Sequence, residues 1–179
     1  DEKGSVVDGD YILAILALHY KNKKKLSNNS VVSTKMSNLG MRKFFLKEKI
    51  KFYLSDVGDR YVVELMKKNN CILGGEQSGH IIFSENSFCG DGLFTALTIL
   101  EIINESNFSL SKLHRNLFKK FPQQLVNYKL FNNSEVVIRG KTINELLDKY
   151  SKINNCDVLL RKSGTENLLR LMVQAESKN

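Results

Sequence analysis

The sequence predicts an α/β domain over residues 1–110, a linker over 111–122 and a small α+β domain over 123–179. Three observations lead to this prediction. Short apolar runs typical of strands alternate with helical apolar patterns as far as residue 110. The only proline, Pro122, follows the last of these patterns, where a linker is expected. Beyond it, strand-like runs flank one helical segment.

The first helix, predicted over Asp10–Tyr20, is apolar around most of its surface and should be buried, with Asp8 or Asp10 as its cap. In the last long helix, Asp91 precedes an extended apolar stretch, which predicts a central, buried position. The elements predicted after the first helix are, in order, strand 30–34, helix 40–49, strand 50–55, helix 58–70, strand 71–75, strand 81–85, helix 90–106 and a short helix within 109–123.

The second domain is predicted to contain strand 124–131, a turn at "FNNSE", strand 135–139, helix 142–152 and a terminal hairpin. The hairpin strands are Val158–Leu160 and Leu168–Val173. A domain of this size buries little apolar surface, so it is expected to need docking or further chain for full stability.

The charge balance favours an anionic partner, because 27 basic residues face 19 acidic ones. Most of the excess is lysine in short clusters, which is typical of a solvated face, and no arginine-rich stripe or aromatic platform indicates nucleic acid. The three cysteines form no CxxC or Cys/His cluster, so neither a disulfide framework nor a metal site within this chain is expected. "YILAILAL" is too short to span a bilayer, and a cytoplasmic protein without a membrane partner is expected.

One candidate binding loop is "LGGEQSGHIIF", residues 73–83, where glycines bracket Glu76, Ser78 and His80. The three polar side chains would share one face if the segment is extended. A carboxylate, a hydroxyl and an imidazole together suit the hydroxyl groups of a sugar. The alternative is a glycine-rich hairpin with incidental polar residues.

The terminal hairpin carries a second candidate loop. Arg161, Ser163, Gly164 and Thr165 offer hydroxyls, backbone N–H groups and a guanidinium, and Arg170 follows on the next strand. These donors match the oxygens of a phosphate group. On the loop alone an ordinary Ser-Gly turn is the simpler interpretation.

Two further motifs are ambiguous by themselves. In "VGDRYV", Asp59 is interpreted first as a helix cap and Arg60 as a surface charge, and the carboxylates of "DGD" at 8–10 are interpreted as a cap. No Walker loop, dinucleotide fingerprint, HExxH, Gly-x-Ser-x-Gly or nucleophile with its base is present.

Taken together, the loops resemble the C-terminal part of the α-D-phosphohexomutases, and within that family the bacterial phosphoglucosamine mutases. Five motifs in the family's order carry the resemblance: "TKMSNLG" (34–40), "VGDRYV" (57–62), "GGEQSGH" (74–80), "GDGLFTAL" (90–97) and "RKSGTENLLRLMV" (161–173). The resemblance implies a mixed-sheet α/β/α third domain. It also implies a small fourth domain like the TATA-box-binding protein, with a four-stranded antiparallel sheet and helices.

The resemblance also implies roles for the candidate residues. Glu76 and Ser78, with His80 adjacent, would bind the sugar. The phosphate-binding residues would be Arg161, Ser163, Gly164, Thr165 and Arg170, and Asp59 and Arg60 would be second-rank site residues. Lys162 and Asn167 stand where the family usually has prolines, which would loosen the phosphate loop.

The implied activity is that of an isomerase, an intramolecular phosphotransferase that interconverts glucosamine 6-phosphate and glucosamine 1-phosphate for cell-wall precursors. Glucosamine 1,6-bisphosphate would be the intermediate. The family's phosphorylated serine and magnesium loop belong to N-terminal domains, which would be this chain's partners. Neither motif occurs here, so no catalytic residue is assigned, Mg²⁺ is expected to bind outside this chain and the chain alone is expected to be inactive. The final family helix is expected to be missing.

Two alternative functions stay open at this stage. With the same fold, the substrate could instead be a glucose or mannose phosphate, because no residue in the sequence can be assigned unambiguously to recognition of the 2-amino group. A non-catalytic basic module that binds anions or nucleic acid is the alternative from another class.

Overall fold

The computed structural model divides into two compact units, Asp1–Lys120 and Phe121–Asn179. Helices and strands alternate in the first unit. The structure describes residues 1–130, 140–153, 155–163 and 166–177. None of the helices in these ranges combines the length and apolar character that crossing a bilayer requires.

The first unit contains five α-helices and four strands among its described elements. They are α1 (Gly9–Asn22), a 3₁₀ turn (Ser27–Asn29), β1 (Ser30–Thr34), α2 (Leu39–Lys47), β2 (Lys51–Ser55), α3 (Asp59–Asn69), β3 (Leu73–Gly75), β4 (Ile81–Phe83), α4 (Gly92–Ser106) and α5 (Leu110–Arg115). The predicted order of helices and strands is therefore confirmed, and the boundaries differ by a few residues.

The four strands form a mixed sheet in the order β2-β1-β3-β4, with β1 parallel to both neighbours and β4 antiparallel to β3. Strand β1 is buried along its whole length, and its successive side chains point to opposite faces. Val31 packs in a core with α1, α2 and α4, whereas Val32 packs with Val62 and Met66 of α3. The unit is thus an α/β/α sandwich, which confirms the predicted fold class.

Both long apolar helices begin at the aspartates that the sequence suggests. The Asp8 carboxylate accepts a hydrogen bond from the backbone N–H of Tyr11 at the start of α1, and Asp91 accepts one from Phe94 at the start of α4. Such side-chain caps satisfy N–H groups that have no partner within the helix.

Residues 111–120, assigned to a linker from the sequence, belong to the first unit in the structure. Leu113, Leu117 and Phe118 pack against the apolar core, and the Phe118 ring stacks on Tyr11 with 4.6 Å between ring centroids. Lys120 forms an ion pair with Asp8. The sequence predicts a short helix in this segment, but the core against which its apolar side chains pack comes from distant parts of the chain.

The second unit contains an antiparallel sheet in the order β5-β7-β6 and one helix among its described residues. The strands are β5 (Gln123–Lys129), β6 (Cys156–Lys162) and β7 (Leu168–Ala175), and the helix is α6 (Lys141–Ser151). Apolar side chains of α6, including Leu146 and Leu147, and of the sheet, including Leu160 and Leu171, line a common cavity of about 450 Å³. The predicted strand 135–139 and the "FNNSE" turn lie outside the described residues.

Asp10 is buried in α1, although the sequence suggested only a cap. Its carboxylate accepts hydrogen bonds from the Asn38 backbone N–H at 2.9 Å and from the Gln77 side-chain amide at 3.1 Å. Burial disfavours the charged form and raises the Asp10 pKa to about 6, although these hydrogen bonds and the charge of Arg42 act in the opposite direction.

Substitution Asp10→Asn is expected to flatten the dependence of stability on pH. Because the folded-state pKa is raised above the ordinary 3.8, the folded state binds a proton more tightly than the unfolded chain, and stability falls as the pH rises from about 4 to about 7. The difference in unfolding free energy between wild type and variant should change by about 3 kcal/mol over this range. Urea unfolding at a series of pH values measures it. Asp56→Asn at an exposed site is the control, and parallel profiles for Asp10→Asn and wild type would refute the assignment.

Candidate substrate-binding site

The glycine-rich loop lies at the carboxyl ends of the parallel strands. Glu76 directly follows β3, and Asp59 begins α3 shortly after the end of β2. Since β1, β2 and β3 run in the same direction, the segments that follow them meet at one edge of the sheet. Ligands of open α/β sheets bind at this edge.

The loop 76–80 is a tight turn, so the condition of an extended segment is not met. The Glu76 backbone N–H donates to the His80 carbonyl at 2.9 Å, and the Gly79 N–H donates to the Glu76 carbonyl at 2.9 Å. Gly79 has a φ of +104°, a conformation that only glycine adopts readily. The Glu76 side chain is buried, whereas Ser78 and His80 are exposed and joined by a 3.2 Å hydrogen bond between Oγ and Nδ1.

Asp59 joins this loop to α3. The ligand atoms of Asp59, Glu76 and His80 all lie within 4.8 Å of one another. The backbone of Gly58, just before Asp59, acts on the Glu76 carboxyl group and favours its charged form. Sequence reasoning treated Asp59 as a cap because nothing in a linear pattern shows that β2 and β3 end side by side.

The environment of Glu76 favours its protonated form. Burial is the largest cause, and the hydrogen bond and the negative charge of Asp59 add to it, so the pKa rises to about 7. His80 and the Gly58 backbone act in the opposite direction. Near neutral pH the Glu76 carboxyl group can therefore retain its proton.

Arg60 does not join this group. Its side chain is exposed and its Nε donates to the Glu64 carboxylate at 2.8 Å, one turn along α3. The structure thus separates the two second-rank residues: Asp59 lies beside Glu76, and Arg60 lies on the outer surface of the helix.

The loop is held against the start of α1 at close range. The Gly9 N–H donates to the Gln77 carbonyl at 3.0 Å, and a Cβ atom at Gly9 would overlap the Glu76 carbonyl oxygen. Together with the Asp10–Gln77 hydrogen bond, this contact fixes the loop backbone. The motif "DGD" at 8–10 is equally typical of a simple cap, so it did not indicate this support.

In the second unit, the candidate phosphate residues lie at the turn between β6 and β7. Arg161 and Arg170 occupy directly opposite positions of the antiparallel pair, so their side chains lie on the same face of the sheet. Glu166 accepts a 2.6 Å hydrogen bond from the Arg170 guanidinium, and its backbone N–H donates to the buried Ser163 hydroxyl at 3.3 Å. Gly164 and Thr165 lie outside the described residues.

Asn167 ties the end of this turn to the neighbouring segment. Its side-chain amide donates to the Leu130 carbonyl at 3.1 Å, and its own carbonyl accepts from the Leu130 N–H at 3.1 Å. A proline at this position could not provide the side-chain bond. Asn167, where the resemblance implies a proline, thus adds a hydrogen bond to Leu130 that restrains the turn.

The group of Asp59, Glu76 and His80 is the one set of metal-type ligands found within the described ranges. Magnesium prefers an octahedral shell of oxygen ligands, most of them water and carboxylate. An imidazole nitrogen beside a carboxyl pair that retains a proton near neutral pH does not match this preference. These residues therefore do not fit the magnesium ion that the family resemblance implies.

Comparison with protein families covers both units. Residues 8–121 match the α/β/α domain III of phosphoglucomutase/phosphomannomutase, and residues 123–179 match the C-terminal domain of the same family. Both matches agree with the architecture of the two units.

Curated relatives give the same result at the level of sequence. A phosphoglucosamine mutase from Clostridium novyi is 46% identical over 181 residues, and one from Bacillus velezensis is 45% identical over 180 residues. Each alignment includes 99% of this chain and 40% of the relative. The chain thus spans about 40% of the length of the curated relatives it matches.

Solved structures share the fold at lower identity. N-acetylphosphoglucosamine mutase from Aspergillus fumigatus matches with a TM-score of 0.79 and 19% identity over 97% of this chain and 41% of its own. A complex of the enzyme from this fungus with GlcNAc-6P and magnesium matches with a TM-score of 0.76 and 18% identity, over 98% of this chain and 42% of its own. At these identities the structures support the fold alone.

Substitution Gly9→Ala is expected to displace the 76–80 loop. The added methyl group overlaps the Glu76 carbonyl, so unfolding free energy should fall by about 2 kcal/mol or more. Gly92→Ala is a matched control, since Gly92 also opens a helix after an aspartate cap but a Cβ there meets nothing within 4 Å. It should change stability by less than about 1 kcal/mol. Equal effects in the two variants would show that the close approach at Gly9 is absent.

The titration of Glu76 is expected to respond to Asp59. Removing the neighbouring charge with Asp59→Asn should lower the Glu76 pKa, but burial should keep it above the ordinary 4.5. Carboxyl ¹³C chemical shifts followed against pH measure both values. An unchanged Glu76 midpoint in the variant would show that the two carboxyl groups do not interact.

Proposed function

The chain belongs to the phosphoglucomutase/phosphomannomutase family, and we propose that it supplies sugar and phosphate recognition to a phosphoglucosamine mutase. The complete enzyme would interconvert glucosamine 6-phosphate and glucosamine 1-phosphate. The names of the relatives at 45–46% identity support this substrate. Because the chain spans about 40% of their length, the remaining domains of the same enzyme are its proposed partners.

The observation that carries the proposal is the pair of arginines at opposite positions of β6 and β7, on the hairpin whose turn contains the buried Ser163. Arginines at opposite positions of adjacent strands place two positive charges on one face of the sheet, and a phosphate bound there would be attracted by both. Phosphate oxygens accept bidentate hydrogen bonds from arginine, which adds geometric specificity to the charge attraction. Glu166 already offsets part of the positive charge through Arg170.

The 76–80 loop supplies the proposed sugar contacts. The Glu76 carboxyl group accepts hydrogen bonds from sugar hydroxyls, and the exposed Ser78 and His80 add donors and acceptors at the mouth of the loop. Because the loop backbone is held by α1, these groups are positioned before the ligand arrives, and such preorganisation supports catalysis by orientation.

In this proposal the chemical step depends on residues of the other domains. Magnesium, when bound there, would offset the charge of the transferring phosphoryl group. The residues of this chain hold the sugar ring by its hydroxyls and the phosphate that is not reacting. A bisphosphorylated glucosamine would change its orientation between the two half-reactions, and the same groups would bind it in either orientation.

The second candidate function is the same reaction on glucose or mannose phosphates, since the two matched domains are those of phosphoglucomutases and phosphomannomutases. Relative turnover of glucosamine, glucose and mannose 6-phosphates by the full-length enzyme separates the alternatives. The proposed function requires the glucosamine phosphate to have the highest kcat/KM, and a preference for either hexose phosphate would replace it.

Substitution Arg161→Ala in the full-length enzyme is expected to weaken binding of glucosamine 6-phosphate by about 10- to 100-fold, the range for losing a hydrogen bond to a charged group. Arg161→Lys should lie between this variant and wild type because the charge stays while the planar fork is lost. Lys162→Ala is the control, because Lys162 is the exposed neighbour at the end of the same strand. Calorimetric titration gives the affinities, and unchanged binding by Arg161→Ala would refute the phosphate assignment.

A further inference from the structure

We propose that Asp59 is the residue that selects a hexosamine phosphate over a hexose phosphate, by pairing its carboxylate with the ammonium group on C2 while Glu76 binds neighbouring hydroxyls. This inference rests on the proposed function and assigns a specificity role that the sequence left open. An amino sugar carries a positive charge at neutral pH where a hexose carries a hydroxyl, so a selective site needs a negative charge at that point.

Asp59 and Glu76 bring an excess of acidic groups to the 76–80 loop. Among the described residues, no lysine or arginine forms an ion pair with Asp59 or Glu76. Two cations near the carboxyl edge of the sheet are engaged elsewhere, since Arg60, which follows Asp59, pairs with Glu64, and Lys35, which follows β1, pairs with Asp56. In a chain with 27 basic and 19 acidic residues, these two carboxyl groups thus have no lysine or arginine as an ion-pair partner, and the exposed imidazole of His80 is the basic side chain grouped with them.

The Glu76 side chain is buried beside Asp59. Glu76 is only 9% exposed and lies against the carboxyl group of Asp59, so two acidic groups are held together with little water around one of them. Buried charge is costly unless it is paired and hydrogen-bonded. A ligand ammonium placed at Asp59 would pair with the negative charge that acts on Glu76, whereas a neutral hydroxyl would leave that charge unpaired.

The carboxyl oxygens of Asp59 and Glu76 also match the number of donors on an ammonium group. The two carboxyl groups together present four oxygen atoms. An ammonium group brings three donors, which can be shared between Asp59 and the Glu76 carboxyl group. The amide of an N-acetylated sugar brings one N–H and no charge, so the same pair would favour the free amine over the acetylated sugar as well.

Asp59 is also placed for contact with a ligand rather than for a structural role alone. It is half-buried, whereas the cap position of α3 is taken by Gly58, and no hydrogen bond to the α3 backbone from the Asp59 side chain occurs in the described structure. His80 lies within the same group, but its Nδ1 is engaged with the Ser78 hydroxyl. The carboxylate of Asp59 is thus the group available to a cation at the carboxyl edge of the sheet.

The test is the selectivity of the full-length enzyme that carries Asp59→Asn, an isosteric change that removes the charge. Values of kcat/KM are measured with glucosamine 6-phosphate, glucose 6-phosphate and N-acetylglucosamine 6-phosphate. The ratio of glucosamine to glucose turnover should fall by about 10- to 100-fold, as expected for a lost charged hydrogen bond. The control is Glu85→Gln, an exposed carboxylate that follows the antiparallel strand β4, which should keep the wild-type ratio.

The outcomes separate this inference from the proposed function. Parallel losses on all three substrates in a variant with wild-type thermal stability would overturn the selectivity role, as would an unchanged ratio. If wild-type enzyme itself prefers glucose phosphate, the proposed function fails together with the inference. A calorimetric titration with ZnCl₂ covers the metal alternative: Zn²⁺ binding that is lost in Asp59→Asn and not weakened by glucosamine 6-phosphate would overturn the ammonium assignment.

Discussion

The buried carboxyl group of Asp10 ties together three segments that are far apart in the sequence. It accepts hydrogen bonds from the backbone N–H of Asn38 at the start of α2 and from the side chain of Gln77 in the 76–80 loop. The adjacent Gly9 lets the loop backbone approach α1 to hydrogen-bond distance. The position of Glu76, and through it the carboxyl pair with Asp59, depends on this support.

The two candidate loops have opposite electrostatic character. Glu76 and Asp59 make the loop of the first unit acidic, and Arg161 and Arg170 make the hairpin of the second unit basic. Under the proposed function, an amino sugar suits the acidic loop and a phosphate suits the basic hairpin, each unit considered by itself. The net charge of +8 alone would have indicated only an anionic partner. The local charges carry more functional information than their sum.

Much of the fold could be predicted because its signals are local. Strand β1 has the predicted bounds, and Asp8 and Asp91 cap their helices, since side-chain caps and short apolar runs depend on neighbouring residues. The burial of Asp10 could not be predicted, because its partners Asn38 and Gln77 come from distant segments. The packing of residues 111–120 was missed for the same reason.

The candidate site shows the same limit. The glycines and polar residues of "GGEQSGH" marked a loop, and the motifs around it indicated a family. However, the loop turns tightly, so Glu76 is buried while Ser78 and His80 are exposed, which alternation along a strand did not predict. The contact between Asp59 and Glu76 required the parallel pairing of the strands that precede them.

The most direct test of the central claim, that this chain recognises both the sugar and the phosphate, is an amide-resolved NMR titration with glucosamine 6-phosphate. Inorganic phosphate and glucosamine serve as separate ligands for comparison. The account predicts that glucosamine 6-phosphate shifts the amides of Glu76–His80 and of Arg161 and Ser163. Phosphate should shift only the hairpin amides, and glucosamine only those of the sugar loop. Shifts confined to other regions, or none with the sugar phosphate, would contradict the account.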